Sequence, residues 1–204
     1  SEGATLTIYG GEGTIEAVSG NDGYAIISEG TVIINSGTIK SGVDADNKPN
    51  AVVYARGNGK VYVNGGYFPN DNNSKYVLNK KDADRATTTI EVKGGIFENF
   101  NPANNTAEGE GTNFVAEGYK STNVGVNQYM VAAEGTSVVS SSADLVTAFE
   151  KGGQVRLVDN IELEEILTVK AGAEVYLDMN GKTIKLEGTV ADPAFYTYLD
   201  ELFK

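Results

Sequence analysis

The chain has 204 residues, of which 28 are acidic and 16 basic, giving a formal net charge of −12 at pH 7. A field of this sign repels phosphate backbones, so we expect no nucleic-acid partner. The sequence contains no cysteine, histidine or tryptophan, which excludes thiolate and imidazole catalysis and the usual zinc sites. No apolar run approaches the ~20 residues that span a bilayer, so we expect no membrane insertion.

Glycine is abundant, with 25 residues against only 4 prolines, which is typical of many short strands joined by tight turns. One pattern of alternating apolar residues that ends in glycine occurs four times in the first hundred residues. The four segments are residues 5–11 (TLTIYGG), 31–37 (TVIINSG), 60–66 (KVYVNGG) and 89–95 (TIEVKGG). Their last glycines recur after 26, 29 and 29 residues, the length of one turn, or coil, of a β-solenoid.

Alternation within each segment predicts a strand with one buried face. The residues expected to point inward are Leu6 and Ile8, Val32 and Ile34, Val61 and Val63, and Ile90 and Val92. A second apolar pair follows the final glycine, after two extra residues in the first coil, and a third apolar band precedes the later segments. Three short strands per coil predict an all-β fold, a right-handed parallel β-helix with about 26–29 residues per coil. The apolar spacing of two excludes a helical solenoid.

Two asparagines occupy equivalent turn positions one coil apart, Asn35 and Asn64. Stacked side-chain amides at such positions hydrogen-bond along the axis of the stack. Asparagine is also a favoured turn residue without any such bond. The sequence leaves both interpretations open.

The ladder of coils is expected to close before residue 134. Residues 98–118 are polar and rich in turn residues, which indicates a closing segment at the end of a stack. Two further strands, at residues 119–124 and 128–132, would complete that end. We therefore assign residues 1–133 to the β-helix ladder with its closing segment, and residues 134–141 to a linker.

The next part of the chain has a different pattern. Residues 142–150 (SADLVTAFE) carry apolar residues at helical spacing and are followed by Gly152, which predicts a short amphipathic helix. Strand alternation then returns in segments such as residues 174–186 (EVYLDMNGKTIKL). Residues 142–188 are therefore assigned to a helix plus β coils.

The last stretch, residues 189–204, predicts a second amphipathic helix. Asp192 is suited to the N-cap and Pro193 to the first helical position. One face of this helix would be apolar and would serve attachment to other subunits. Its residues are Phe195, Leu199, Leu202 and Phe203.

Two blocks of the chain resemble a known group of proteins. Residues 94–120 (GGIFENFNPANNTAEGEGTNFVAEGYK) resemble the closing block of β-helix repeat proteins from gut Bacteroidales and their phages. Residues 141–184 resemble the helix-capped entry coils of the same group. Members of this group are surface adhesin-like proteins and accessory capsid or fibre proteins. The resemblance implies an extracellular location, on a virion surface or a bacterial cell surface.

The order of the two blocks differs from that group, in which the entry coils come first and the closing block last. Three explanations are open: the entry unit caps its own first coil, caps a neighbouring subunit, or opens a second stack in a longer chain. We expect residues 142–188 to cap a first coil, in the same or a neighbouring stack. An uncapped β-helix end presents unpaired strand edges that invite aggregation.

Enzymes also use the β-helix fold, including polysaccharide lyases and hydrolases. The local candidate for a lyase site is Asp82, Asp84 and Arg85, whereas the hydrolase pattern includes a histidine that this chain lacks. We interpret the acidic groups as solvated turns and expect no enzymatic activity. The oxygen-rich residues 44–47 and 70–73 leave Ca²⁺ as an alternative to having no cofactor, although neither matches an EF-hand loop.

Three tyrosines are candidates for glycan binding. Tyr9, Tyr62 and Tyr176 are expected to point outward from corresponding strands and to form an aromatic strip for a sugar face. Tyr54 and Tyr67 are expected on other faces. Tyrosine is also a good strand residue that packs on its neighbours in adjacent coils, which is the alternative interpretation.

Together these features favour a non-enzymatic structural or display protein. We expect a component of a phage particle or a bacterial cell surface that assembles through its C-terminal segment. Its partners would be other virion or surface subunits, and the protein would form a homo-oligomer. The alternative is a carbohydrate-binding adhesin or receptor-binding protein that recognises host glycans, and a polysaccharide lyase is a third candidate.

Overall fold

The computed structural model describes residues 3–17, 23–44, 46, 48, 50–71, 74 and 76–186. Strands make up 46% of the described residues and helices 8%, and the strands form β-solenoid turns, about seven in all, with one α-helix. The predicted all-β parallel β-helix is therefore confirmed. The chain divides into two compact units, residues 1–134 and residues 135–204.

The first unit contains eleven strands in its described residues. They are β1 (Thr5–Glu16), β2 (Ile26–Ser28), β3 (Thr31–Lys40), β4 (Val53–Ala55), β5 (Lys60–Val63), β6 (Tyr67–Phe68), β7 (Leu78–Lys80), β8 (Thr89–Val92), β9 (Gly95–Glu98), β10 (Tyr119–Gly125) and β11 (Gln128–Ala133). Strands β2, β4 and β7 form a three-stranded side sheet, and the other eight strands form the main sheet. Coils stack in parallel, so β1 pairs with β3, β3 with β5, and β5 with β8.

Stacking places equivalent apolar residues on top of one another. Val61 of β5 lies between Val32 of β3 and Ile90 of β8 in the strand register. All three are buried, at 0%, 5% and 7% exposure respectively. The intervening positions Ile33, Tyr62 and Glu91 are only partly covered, which matches the predicted alternation. The inward faces thus form one continuous apolar core along the stack.

A glycine turns the chain into the second part of each coil. Gly37, Gly66 and Gly95 have φ values of 104°, 102° and 106°, a region that side chains with a Cβ rarely adopt. The turn brings the next inward side chains into register, and the rings of Phe68 and Phe97 stack with centroids 4.6 Å apart. A glycine at this position is therefore required in every one of these coils.

The two asparagines of adjacent coils are bonded to each other. Asn64 Nδ2 donates to Asn35 Oδ1 at 3.0 Å. Of the two interpretations that the sequence leaves open, the structure shows the amide bond, which joins equivalent turns of adjacent coils. It fixes the register of the bend through side chains as well as backbone.

The closing segment folds over the end of the ladder. Phe100, Ala107 and Phe114 belong to the same apolar core as the coils, with exposures of 4%, 5% and 5%. Strands β10 and β11 then form an antiparallel hairpin, and β11 pairs antiparallel with β9. The change from parallel to antiparallel pairing ends the series of parallel coils in this unit.

The second unit contains five strands and one helix in its described residues. They are β12 (Ser137–Val139), α1 (Ser142–Lys151), β13 (Gly153–Leu157), β14 (Ile161–Leu163), β15 (Val175–Asp178) and β16 (Ile184–Leu186). Strands β12, β13 and β15 form one parallel sheet, and β14 pairs in parallel with β16. The core of this unit consists of Val139, Leu145, Ala148, Val155, Leu157, Ile161 and Leu163.

The predicted helix is confirmed, with ordinary capping at both ends. Ser141 is the N-cap and its hydroxyl accepts a hydrogen bond from the backbone N–H of Asp144 at 3.2 Å. Gly152 ends the helix with φ of 76°. Leu145 and Ala148 are buried against the strands of this unit.

The predicted linker, residues 134–141, is wrong over residues 137–139. These residues form β12, which pairs with β13, and Val139 is only 3% exposed. The physical reason is that Val139 completes the core beneath α1. The predicted C-terminal helix, with Phe195, Leu199, Leu202 and Phe203, lies outside the described residues.

Replacing Phe97 by alanine tests the stacked core. The ring is fully buried between Phe68 and Phe100, so we expect Phe97→Ala to lower the free energy of unfolding by about 3–5 kcal/mol in urea titrations. Ile96→Ala is the control, since the neighbouring side chain is on the opposite, partly exposed face. Equal losses for the two variants would contradict the described core.

Candidate functional site

Tyr9 and Tyr62, the two predicted tyrosines of the first unit, do not lie in one row. Tyr62 lies in the row of Ile33 and Glu91, whereas β1 places Thr7 in that row. Tyr9 pairs instead with Ser36, because the register of β1 against β3 shifts after Ile8. The predicted strip is therefore wrong as a single row of Tyr9 and Tyr62.

Tyr176 belongs to the second unit and has its own surroundings. It lies on β15 beside Gln154 of β13 and is 64% exposed. Its hydroxyl donates to Glu174 Oε2 at 3.0 Å. Tyr9 is also strongly exposed, at 79%. A glycan-binding role for Tyr9, Tyr62 and Tyr176 remains a prediction for each residue separately.

The structure does bring two other tyrosines together, on the side sheet. The rings of Tyr24 and Tyr54 are stacked, with centroids 4.8 Å apart and planes 18° apart. Tyr54 lies between Ile27 and Asn79 in the register of the side sheet. We call Tyr24, Ile27, Tyr54 and Asn79 the tyrosine patch. Ile27 is 41% exposed, so the patch combines apolar, aromatic and amide surface.

Polar groups surround the tyrosine patch. Arg56, two residues after Tyr54, holds Glu29 through an ion pair of 2.8 Å between Nε and Oε1. Burial raises the pKa of Tyr54, and Tyr24 and nearby carboxylates raise it further. Asn79 Oδ1 is buried and has no hydrogen-bond partner in the described part of the chain. The patch thus places an aromatic face beside charged and amide groups.

Periodicity did not reveal this pair because the two tyrosines are not at equivalent positions. Ile26 pairs with Val53 in the next coil. Tyr24 comes two residues before Ile26, whereas Tyr54 comes one residue after Val53. Their contact is diagonal across the sheet. Comparing equivalent positions in successive coils therefore does not find it.

The residues that were the local candidate for a lyase site are engaged in structural bonds. Arg85 forms ion pairs with Asp82 Oδ1 at 2.9 Å and with Glu108 Oε2 at 2.6 Å. Asp84 Oδ2 accepts a hydrogen bond of 2.7 Å from the backbone N–H of Gly57, 27 residues earlier. The two carboxylates thus hold the guanidinium group of Arg85 in place. These residues join coils to each other.

The oxygen-rich loops satisfy their own backbone. Asp44 Oδ1 accepts from the backbone N–H groups of Asp46 and Lys48 at 2.9 and 2.8 Å. The buried amide of Asn70 bonds both the N–H and the C=O of Ser74. In the described residues, no group of three or more acidic side chains is suited to hold a metal ion. Calcium binding stays an untested alternative.

Polar side chains form two rows on the outside of the main sheet. In one row, Lys40 Nζ lies 3.5 Å from Glu16 and 3.1 Å from Asp71. The hydrogen bond to Asp71, followed by the attraction of Glu16, raises the pKa of Lys40. In the other row, the hydroxyl of Tyr67 donates to Glu98 Oε1 at 2.5 Å. Both rows join successive coils outside the core.

Comparison with known proteins finds no matching family model, no matching curated protein and no matching solved structure. None of the helices in the described ranges has the length and hydropathy of a membrane span.

Because Tyr67 is partly buried and bonded to Glu98, we expect the free energy of unfolding to fall in alkali. Burial raises the pKa of Tyr67 and the bond to Glu98 raises it further, whereas tyrosine in the unfolded chain ionises near pH 10. Above about pH 10 the unfolded chain therefore loses a proton that the folded chain retains, and this stabilising contribution falls as pH rises. We expect Tyr67→Phe to reduce the drop in urea midpoint between pH 8 and pH 11.

The matched control is Tyr176→Phe, because Tyr176 is 64% exposed and its loss should leave that drop unchanged. Identical alkaline profiles for the wild type and Tyr67→Phe would show that this bond does not contribute to stability.

Proposed function

We propose that this protein is a non-enzymatic structural module that displays its outer residues at the surface of a phage particle or a bacterial cell. In a phage particle it would be an accessory capsid or fibre component. The proposal includes an extracellular location, partner subunits of the same assembly, and attachment through residues 189–204. Its relation to the β-helix repeat proteins of gut Bacteroidales and their phages is part of the same proposal.

The observation that carries the proposal is the continuous stacked core of the first unit. Val52, Val53, Val61 and Val63 are all fully buried, and each strand passes its backbone hydrogen bonds to the next coil. Such a stack resists bending because every coil is bonded to its neighbours along the axis. A stiff support of this kind suits the display of outer residues.

The use of polar side chains supports the same conclusion. Arg85 and Asp84, the best candidates for chemistry, are bound to other coils. Asn64 and Tyr67 likewise bond side chains one coil away. These functional groups therefore contribute to the bonding between coils.

A second candidate function is glycan binding at the tyrosine patch. The stacked rings of Tyr24 and Tyr54 favour it, since an aromatic face packs on the apolar face of a sugar. Arg56 and Glu29 beside the patch would supply hydrogen bonds to hydroxyl groups. This role would be added to the structural one and does not replace it.

Incubation of the full chain with polygalacturonate, alginate and mucin oligosaccharides tests the proposal. We expect no release of unsaturated or reducing ends, and the same background for the wild type and Arg85→Ala. Release that the wild type catalyses and Arg85→Ala loses would contradict the structural role. Far-ultraviolet circular dichroism checks that the variant keeps its strands.

Retention on the same glycans tests the second candidate. Loss of one stacking contact of about 0.5–1.5 kcal/mol weakens affinity about 2- to 12-fold, so Tyr54→Ala should bind that much more weakly than the wild type. Tyr176→Ala, which removes an exposed tyrosine of the second unit, should bind normally. Retention unaffected by Tyr54→Ala would place glycan binding elsewhere.

A further inference from the structure

We propose that the last described coil of the second unit stacks on the first coil of another copy of this chain, head to tail. The last coil consists of β15, β16 and the bend between them, and the first coil is β1. This inference rests on the proposed structural role and identifies the partner as a second copy. Three observations support it. Both coils leave core residues exposed, their bends have the same length, and the charges that would meet are opposite.

The first coil leaves core positions exposed. Leu6 is 50% exposed and Ile15 is 37% exposed, although their register partners Val32 and Ile39 are buried at 5% and 1%. Within the described residues, β1 pairs with β3 and with no strand on its other side. It therefore offers both an unpaired backbone edge and apolar side chains, the features that lead strands to pair with another chain.

The last coil likewise has unpaired strand edges and an exposed core residue. Strand β15 pairs with β13, and β16 with β14, and no other described strand covers their outer edges. Leu186 is 40% exposed, although its partner Leu163 is only 3% exposed. Each copy of the chain thus has two different open coil faces, and both belong to parallel stacks.

The two coils have bends of the same length. Residues 5–17 and 174–186 align without a gap, so that Thr14-Ile15 matches Thr183-Ile184. Seven positions separate Ile8 from Ile15, and seven separate Leu177 from Ile184. Only five separate the corresponding residues Ile34 and Ile39 of the next coil. The mismatch with that coil accounts for the register shifts between β1 and β3, whereas the last coil would pair with β1 on both sides of the bend.

Charges alternate across the proposed contact. In this register Lys185 would lie beside Glu16, and Lys185 already pairs with Glu162 at 3.9 Å. On the other side, Glu16 pairs with Lys40, which also contacts Asp71. The result would be one row of five alternating charges, Glu162, Lys185, Glu16, Lys40 and Asp71. Opposite charges on neighbouring strands stabilise pairing, whereas like charges oppose it.

A contact between two different faces repeats from copy to copy. Such heterologous contacts build open filaments, or rings where the rotation closes. The net charge of −12 opposes association at low ionic strength. At about 0.15 M salt the Debye length is only about 8 Å, so this repulsion is screened. Physiological salt is therefore the condition in which to look for the assembly.

Cysteine cross-linking tests both the contact and its register, because the wild-type chain has no cysteine. The register places Thr7 beside Tyr176. Neighbouring strands lie about 4.8 Å apart, within disulfide range, whereas an offset of two residues gives a separation of about 8 Å, which is outside it. Under mild oxidation we expect Thr7→Cys/Tyr176→Cys to form disulfide-linked multimers, at least five times more than the offset control Thr7→Cys/Asp178→Cys.

Three outcomes would overturn the inference: equal cross-linking in the matched and offset variants, a disulfide confined to single chains, or no disulfide. Thr7→Cys alone should not form dimers; if it does so at a comparable yield, the first coils face each other instead. In light scattering, the wild-type mass should rise at least twofold with concentration, and Leu6→Asp should remain monomeric. A wild-type monomer at all concentrations would overturn the stacking without affecting the proposed structural role, which depends on the polysaccharide assay.

Discussion

Parallel stacking of one coil on the next is the constraint on which the rest of this structure depends. Each strand of the main sheet satisfies its backbone groups through the neighbouring coil, and the same register superposes Val32, Val61 and Ile90. The backbone hydrogen bonds and the buried side chains therefore require the same register between adjacent strands. A coil cannot change its inward residues or its bend glycine without disturbing two neighbours.

Polar side chains extend this constraint to the outside of the stack. Asn64 bonds Asn35, and Glu108 accepts from the backbone N–H of Lys80 while it pairs with Arg85. Carboxylates and amides that look like catalytic or metal-binding groups in the sequence thus act as connectors between coils. A coil at the end of a stack lacks one of these neighbours. It therefore leaves both its strand edge and its apolar residues exposed.

The sequence predicted the alternating strands, the bend glycines and helix α1 from spacing and local propensity. It left the Asn35–Asn64 bond as one of two interpretations. It did not predict β12, since three residues are too short to show a period, or the Tyr24–Tyr54 stack, since that contact is diagonal. Tyr9 was misplaced because the longer bend of the first coil shifts its register. Departures from the repeat are determined by three-dimensional contacts, which a periodic pattern does not contain.

Amide hydrogen exchange of the full chain at low concentration tests the central claim, that stacking stabilises the fold, most directly. If stacking stabilises the fold, β3, β5 and β8 exchange together and most slowly, because each has neighbours on both sides or lies under the closing segment. Strand β1, with one neighbour among the described strands, should exchange much faster. Equal protection of β1 and β5 at low concentration, or rapid exchange throughout the three inner strands, would contradict it.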